Sequence, residues 1–378
     1  MKEDLKPSGG TADGGRSGEL SAPRAGSERF PCQECGAGMR WDPTQNGLTC
    51  NYCGATREVA ALEAQIVERS LDDAGDAQRG LGLELRVVQC KTCGARIALE
   101  PPITTESCAY CGSTNVLQQD ANRNAIRPES LVPLEVGRAM VEERFQRWLH
   151  RLWFRPSELK RTRRFDAVGI YVPFWAFDCE AESDWTAQSG TSEEGRGRRR
   201  KLHLGKSRMR SELQEGIRWT PAQGQRFDAV RDEHVHASKG RGAELVRKLG
   251  PFNLEQLVPY RPEYLAGWRA EEYQVDLEDG WNLGRRAILE RQRLLCAGDV
   301  PGDTQKNLRV HTTISDVRWK HVLLPIWSVS YRFRGKTYAV LVHGQSGRVV
   351  GKAPWSAVKL GFVLFAVSAL TLAYLVYG

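Results

Sequence analysis

The sequence predicts an α+β protein: two small zinc ribbons, an aromatic-rich core domain of mixed antiparallel β-sheet and helix, and one carboxy-terminal transmembrane helix. Three observations carry this expectation. A four-cysteine frame is written twice, the region after Pro128 is rich in aromatics spaced at strand and helix periods, and the chain closes on an uncharged apolar run. The implied division is a disordered leader over 1–29, a first ribbon over 30–57, a helical or flexible linker over 58–82 and a second ribbon over 83–118. The core domain follows over 128–354 and the membrane span over 357–378.

The repeated frames are CQECGAGMRWDPTQNGLTCNYCGA, from Cys32 to Ala55, and CKTCGARIALEPPITTESCAYCGS, from Cys90 to Ser113. Each reads Cys-x-x-Cys, a spacer opening with glycine, then Cys-x-Tyr-Cys-Gly. A tetrahedral Zn²⁺ takes four thiolates about 2.3 Å away, and a two-residue gap lets one tight turn aim both sulfurs at a single ion. The turn requires positive φ just after its second ligand, which explains Gly36, Gly54, Gly94 and Gly112. The metal ligands are therefore Cys32, Cys35, Cys50 and Cys53 in one site, and Cys90, Cys93, Cys108 and Cys111 in the other. Segments this small bury too little apolar surface to fold alone, so two structural Zn²⁺ ions would supply the folding free energy. Disulfide stapling is the competing reading, and CxxC pairs duplicated at one spacing without a secretory signal favour metal. Four cysteines leave no open coordination position, which argues against hydrolytic zinc chemistry.

With 378 residues there is room for two or three units, and the net charge of +8 suits nucleic acid or an anionic membrane surface. Zinc thiolates point to a reducing compartment. Cys179 and Cys296 lie outside the frames and read as buried small apolar residues.

Along the chain, residues 1–29 lack apolar periodicity. Glu58 to Leu71 carries Val59, Leu62, Ile66 and Val67 near helical spacing, a short amphipathic connector, and Leu83 to Gln89 reads as the entry strand of the second ribbon. Met140 to Phe154 reads as a helix burying Val141, Phe145, Trp148, Leu149 and Leu152, ended by Pro156. The cluster Lys160, Arg161, Arg163, Arg164 reads as a solvated loop. Val168 to Trp185 alternates as a long strand, with Pro173 implying an edge or a bulge. Phe177, Cys179, Ala181 and Trp185 share one face of it, and Asp178, Glu180, Glu182 and Asp184 the other. These acids are expected to pair across strands with the basic run Arg196 to Arg210 rather than to cage a metal.

Gly205-Lys206-Ser207 resembles the end of a phosphate loop, but Arg200 stands where that loop needs glycine. The DEHVH stretch fails the Asp-Glu-x-His helicase box at Val235, and His234 and His236 read as two imidazoles on one face of a polar strand. Leu254 to Trp281 reads as short helices and loops wrapping the core, and Asn282 to Cys296 as a helix presenting Ile288, Leu289, Leu294 and Leu295. Val322 to Lys352 reads as a three-stranded meander, and the pair YVPFW and LLPIW hints at two related β units.

Leu360 to Tyr377 is an uncharged run of about 18 residues, matching a hydrocarbon core near 30 Å, with Trp355, Tyr374 and Tyr377 at its ends. Arg348, Lys352 and Lys359 precede it. The positive-inside rule then implies a single-pass cell-membrane protein with its amino-terminal bulk in the cytoplasm.

Taken with the twin cysteine frames, RWLHRLWFRPSELK, GIYVPFWAFD, VPYRPEYLAGWRAEEYQVDLEDGW, HVLLPIW and VHGQSGRVVGKAPWSAVK, the chain resembles a family of bacterial zinc-ribbon, membrane-anchored proteins. Its members commonly carry the name primosomal protein N' (replication factor Y) or superfamily II helicase. The resemblance implies partnership with SPFH-, TPM- or PspA-type membrane-stress proteins, with the ribbons as the docking part. The expected function is a non-enzymatic, membrane-anchored adaptor presenting two four-cysteine zinc modules to cytoplasmic partners. The alternative is a zinc-ribbon nucleic-acid binder, with the basic run at 196–210 on phosphates.

Overall fold

The computed structural model describes residues 30–59, 66–79, 81, 86–99, 107–120, 122, 125–161, 165–193 and 216–377. The leader, Arg163, Arg164, the basic run Arg196 to Arg210 and the Gly205-Lys206-Ser207 motif lie outside them.

In chain order the elements are β1 (Met39–Asp42), β2 (Gly47–Cys50), β3 (Thr56–Glu58), β4 (Arg69–Ser70), β5 (Arg86–Cys90), β6 (Arg96–Leu99), β7 (Val116–Asp120) and β8 (Ser130–Leu131). Then come α1 (Arg138–Arg151), β9 (Phe165–Glu193), β10 (Gly216–His236), α2 (Arg241–Leu249), β11 (Val258–Pro259) and β12 (Arg269–Glu271). The last are α3 (Leu277–Asp299), β13 (Thr304–Phe333), β14 (Lys336–His343), β15 (Val349–Gly351) and α4 (Ala357–Tyr377).

The two longest alternating stretches form the spine. β9 and β13 pair antiparallel from Phe165↔Tyr331 to Gly190↔Thr304. Around them runs a 12-stranded mixed sheet, β11-β8-β13-β9-β12-β6-β5-β7, with β10 on β9, β4 and β14 on β13, and β15 on β14. The hint of two related β units becomes a symmetry of pairing. Val172 stands opposite Leu324, Tyr171 opposite Pro325 and Pro173 opposite Leu323. Short β12 adds parallel to β9 at Ile170 and Tyr171, and short β8 adds parallel to β13 at Val322 and Leu323. The order short strand, helix, long strand, antiparallel partner thus occurs twice, as β8-α1-β9-β10 and β12-α3-β13-β14.

Pro173 sits in the sheet centre rather than at the expected edge or bulge. Its lack of an N–H is tolerated because β9 changes neighbour there, from β12 to β10, and its carbonyl accepts from Ala237 N at 2.9 Å. Pro325 marks the matching change on β13, accepting from Gly344 N at 3.0 Å.

Helix α1 buries Val141, Phe145 and Leu149, with Trp148 and Leu152 partly covered, as its periodicity predicts. On α3 the periodicity misleads. Its buried stripe is Gly280, Gly284, Ile288, Gln292 and Cys296, while Leu294 is exposed. The glycines are there for approach: a Cβ on Gly280 would lie 2.5 Å from Trp175, and one on Gly284 3.0 Å from Phe177. Phe177, Cys179, Ala181 and Trp185 are buried on the α3 side of β9. Among the described residues the acids opposite them meet partners on β10, Arg231 reaching Glu180 at 3.1 Å and Gln225 donating to Asp184 at 2.8 Å; the basic run expected as their partner lies outside the described residues. The described part of the expected connector is not helical, since Ile66 and Val67 lie in irregular chain before β4.

The fold class expected from the sequence needs two corrections. The protein is mostly β, with few helices, because 216–236 and 304–321 continue as strands; the covered positions Ala222, Gly224, Arg226 and Asp228 of the first are small or polar and carry weak apolar alternation, while Leu308, Val310 and Ile314 of the second face the core. Nor, among the described residues, is any helix long and apolar enough to cross a membrane. The stretch free of charge starts only after Lys359 and is broken by Ser368 and Thr371, short of the about 20 consecutive apolar residues a spanning helix takes. The transmembrane segment and the single-pass cell-membrane placement built on it are therefore not supported.

Candidate metal centres

Four tight turns build the two centres, and all four repeat one pair of backbone bonds. Gly36 N donates to Cys32 O, Gly54 N to Cys50 O, Gly94 N to Cys90 O and Gly112 N to Cys108 O, at 2.8–3.0 Å. Cys32, Cys50, Cys90 and Cys108 each donate their own N–H to the carbonyl five residues on. The four glycines have φ of +72°, +76°, +83° and +67°, the region that disfavours a Cβ.

The turns bring together every predicted ligand. Cys32, Cys35, Cys50 and Cys53 form one group and Cys90, Cys93, Cys108 and Cys111 the other, with all sulfurs of a group within 4.8 Å. Closest approaches are 3.5 Å for Cys32–Cys53 and 3.6 Å for Cys35–Cys50, Cys90–Cys111 and Cys93–Cys108. Disulfide sulfurs lie about 2.05 Å apart, whereas a ZnS₄ tetrahedron with 2.3 Å bonds has edges of about 3.8 Å. The cysteines are free thiols spaced for a metal ion, and two zinc ions fit.

The twin ribbons differ in how they are held. Ribbon 1 is a separate three-stranded sheet, β1-β2-β3. It buries Met39 and Trp41 of β1 and Leu48 of β2 against Tyr264, Leu265 and Ala266, with Trp41 N donating to Ala266 O and Trp268 Nε1 to Trp41 O, each at 3.0 Å. Its far end points outward: Cys35 and Cys53 are exposed, and Tyr52 is 72% exposed. Ribbon 2 is part of the main sheet, because β6 pairs with β12. Tyr110, the counterpart of Tyr52, is 3% exposed and donates to the buried Glu271 at 2.6 Å. Arg96 pairs with Glu272 at 2.6 Å, and Gln274 Nε2 donates to Gly94 O at 2.8 Å. Burial raises Glu271 to about 7, against the opposing hydrogen bond from Tyr110.

Among the described residues, only the cysteine groups bring three or more ligand atoms together. Asp178 accepts from Asp232 N at 2.6 Å and lies beside Lys320, whose Nζ is 2.7 Å from Asp232, 3.0 Å from Glu68 and 3.9 Å from Asp178. Sequence reading missed Lys320 and Glu271. Each sits in a strand that looks apolar or ordinary, and only long-range pairing reveals its partners. Cys179 and Cys296 are buried, as expected, and burial pushes the Cys179 thiol up to about 11.

The chain is 28% identical over 341 residues to YdjG, an uncharacterised protein of Bacillus subtilis (strain 168), an alignment spanning 88% of this chain and 91% of that protein. No family model matches the chain, and no solved structure matches it.

Proposed function

We propose that this protein is a non-enzymatic zinc-ribbon adaptor in which ribbon 1 is the docking module and ribbon 2 fixes the assembly to the β scaffold. The observation carrying this reading is the contrast between two tyrosines of one motif, Tyr52 at 72% exposure and Tyr110 at 3%. An exposed aromatic on a metal-stiffened turn is an anchor of low conformational cost, the kind enriched in interface hot spots. The partners to test first are the SPFH-, TPM- or PspA-type proteins that the sequence resemblance implies.

Nucleic-acid binding is the second reading, and Tyr52 could stack on a base. Against it, the arginines nearest the ribbon are engaged within the protein: Arg40 lies over Trp268 at 5.3 Å and Arg57 over Phe30 at 5.9 Å. The test is a photo-crosslinking residue placed at position 52 of the full chain in cells, with the same residue at position 153 as control. Crosslinks to a defined protein at position 52 alone support the adaptor. Crosslinks to nucleic acid, matched by affinity that falls steeply with salt, would replace it with the second reading.

A further inference from the structure

The two cysteine centres share a motif and differ in what can reach them. In ribbon 1 the second cysteine of each turn faces solvent: Cys35 and Cys53 are exposed, while Cys32 and Cys50 are buried. Among the described residues nothing stands over those turns, since a Cβ added to Gly36 or Gly54 would meet no atom within 4 Å. Ribbon 2 is roofed. Gly240, just before α2, comes so near the Cys93 carbonyl that a Cβ there would lie 2.2 Å from its oxygen, and one on Gly242 would lie 3.3 Å from the Tyr110 ring. Thr337 of β14 presses on the other turn, 2.3 Å from where a Cβ of Gly112 would stand, and Ser328 Oγ donates to Ala109 O. Cys90, Cys93 and Cys108 are buried under this cover, and Cys111 is half-buried.

Zinc holds cysteine as the thiolate, the form that attacks peroxide, and among thiolates access decides which is oxidised. We infer that ribbon 1 is an oxidation site for hydrogen peroxide, its thiolates consumed with release of its zinc ion while ribbon 2 keeps its own. The exposed Cys53 sulfur attacks one peroxide oxygen: an S–O bond forms, the O–O bond breaks and hydroxide leaves. The Cys32 thiolate, 3.5 Å away, then attacks the resulting sulfenic acid at sulfur, so that an S–S bond forms, the S–O bond breaks and a second hydroxide leaves. Two electrons pass from the two sulfurs to the peroxide. Cys35 with Cys50, at 3.6 Å, is the equivalent pair. Each disulfide removes two of the four ligands, and a turn that has lost its ion loses the ordering that the ion supplies. The inference rests on the two-zinc reading of the cysteine groups and not on the adaptor role, to which it adds control by oxidant.

The experiment exposes the reduced, zinc-loaded full chain to hydrogen peroxide at pH 7. Native mass spectrometry counts zinc, and peptide mapping after alkylation locates the disulfides. The count before peroxide is read first: fewer than two ions fails the metal reading, and this inference with it, before any oxidation is scored. The expected course is loss of one ion at least about tenfold faster than the other, since susceptibility follows exposure. Disulfides should appear among Cys32, Cys35, Cys50 and Cys53, with Cys90, Cys93, Cys108 and Cys111 still free, and dithiothreitol with added zinc should restore the count. Cys32→Ser, holding only the ribbon 2 ion, should keep it through the same exposure, and Cys90→Ser should lose its remaining ion at the parent's faster rate. The parent's map decides the question even where a variant does not fold. Equal rates for the two ions, earlier loss from ribbon 2, or both ions retained through an exposure that consumes free cysteine would each overturn the inference.

Discussion

The Tyr110 hydroxyl donates to the Glu271 carboxylate across 2.6 Å in the interior, joining ribbon 2 to the strand that carries it into the main sheet. The same tyrosine of the other motif, Tyr52, touches water instead. One motif has been put to two uses, and the difference lies in what the core offers each copy.

Tyr110→Phe leaves the buried Glu271 carboxyl without its donor, and should cost about 1–3 kcal/mol of stability. Tyr52→Phe should stay within about 0.5 kcal/mol of the parent. Urea unfolding of the zinc-saturated proteins distinguishes the two.

Glu271 also sets a pH dependence. Its folded-state pKa, raised from 4.5 to about 7, means the folded protein holds this proton more tightly than the unfolded chain. Stability is therefore lost as pH rises from about 4.5 to about 7 and levels off above that window. Glu271→Gln should remove up to about 3 kcal/mol of that fall, read as the difference between parent and variant in denaturation at pH 5 and pH 8.

On α3, Gly280→Ala should destabilise by about 1–3 kcal/mol, since its Cβ meets the Trp175 ring at 2.5 Å. Leu294→Ala, at 65% exposure, should be nearly neutral. Equilibrium unfolding followed by tryptophan fluorescence reads both, and the opposite ranking would mean that α3 presents its leucine face to the sheet.

These glycines mark where sequence reading ends. The two cysteine groups were legible because metal geometry dictates spacing locally, and α1 was legible because its buried face is apolar. The α3 stripe of Gly, Ile, Gln and Cys was not, because close approach to Trp175 and Phe177 selects small residues over apolar ones. Strand β10 escaped for a similar reason: its half-buried positions Ala222, Gly224, Arg226 and Asp228 are small or polar where valines would have signalled a strand. The burial of Tyr110 was hidden too, since its partner lies 161 residues away and only the pairing of β6 with β12 brings them together.

Lys320 is a second buried charge found only in three dimensions. Lys320→Met would leave Asp232, Glu68 and Asp178 facing one another without a cation, and should cost about 3 kcal/mol or more. Thermal unfolding at pH 7 should show the loss. A midpoint matching the parent's would mean the acids find other counterions.

The most direct test of the account is hydrogen–deuterium exchange on the zinc-loaded chain beside its Cys32→Ser and Cys90→Ser variants, with native mass spectrometry counting zinc. The account predicts two zinc ions in the parent and one in each variant. Cys32→Ser should loosen 30–59 and the Tyr264–Trp268 segment packed on it, while Cys90→Ser should expose β12 and α2, which ribbon 2 contacts through β6, Glu271 and Tyr110. Zinc counts other than these, or loosening confined to the ribbon in both variants, would contradict it.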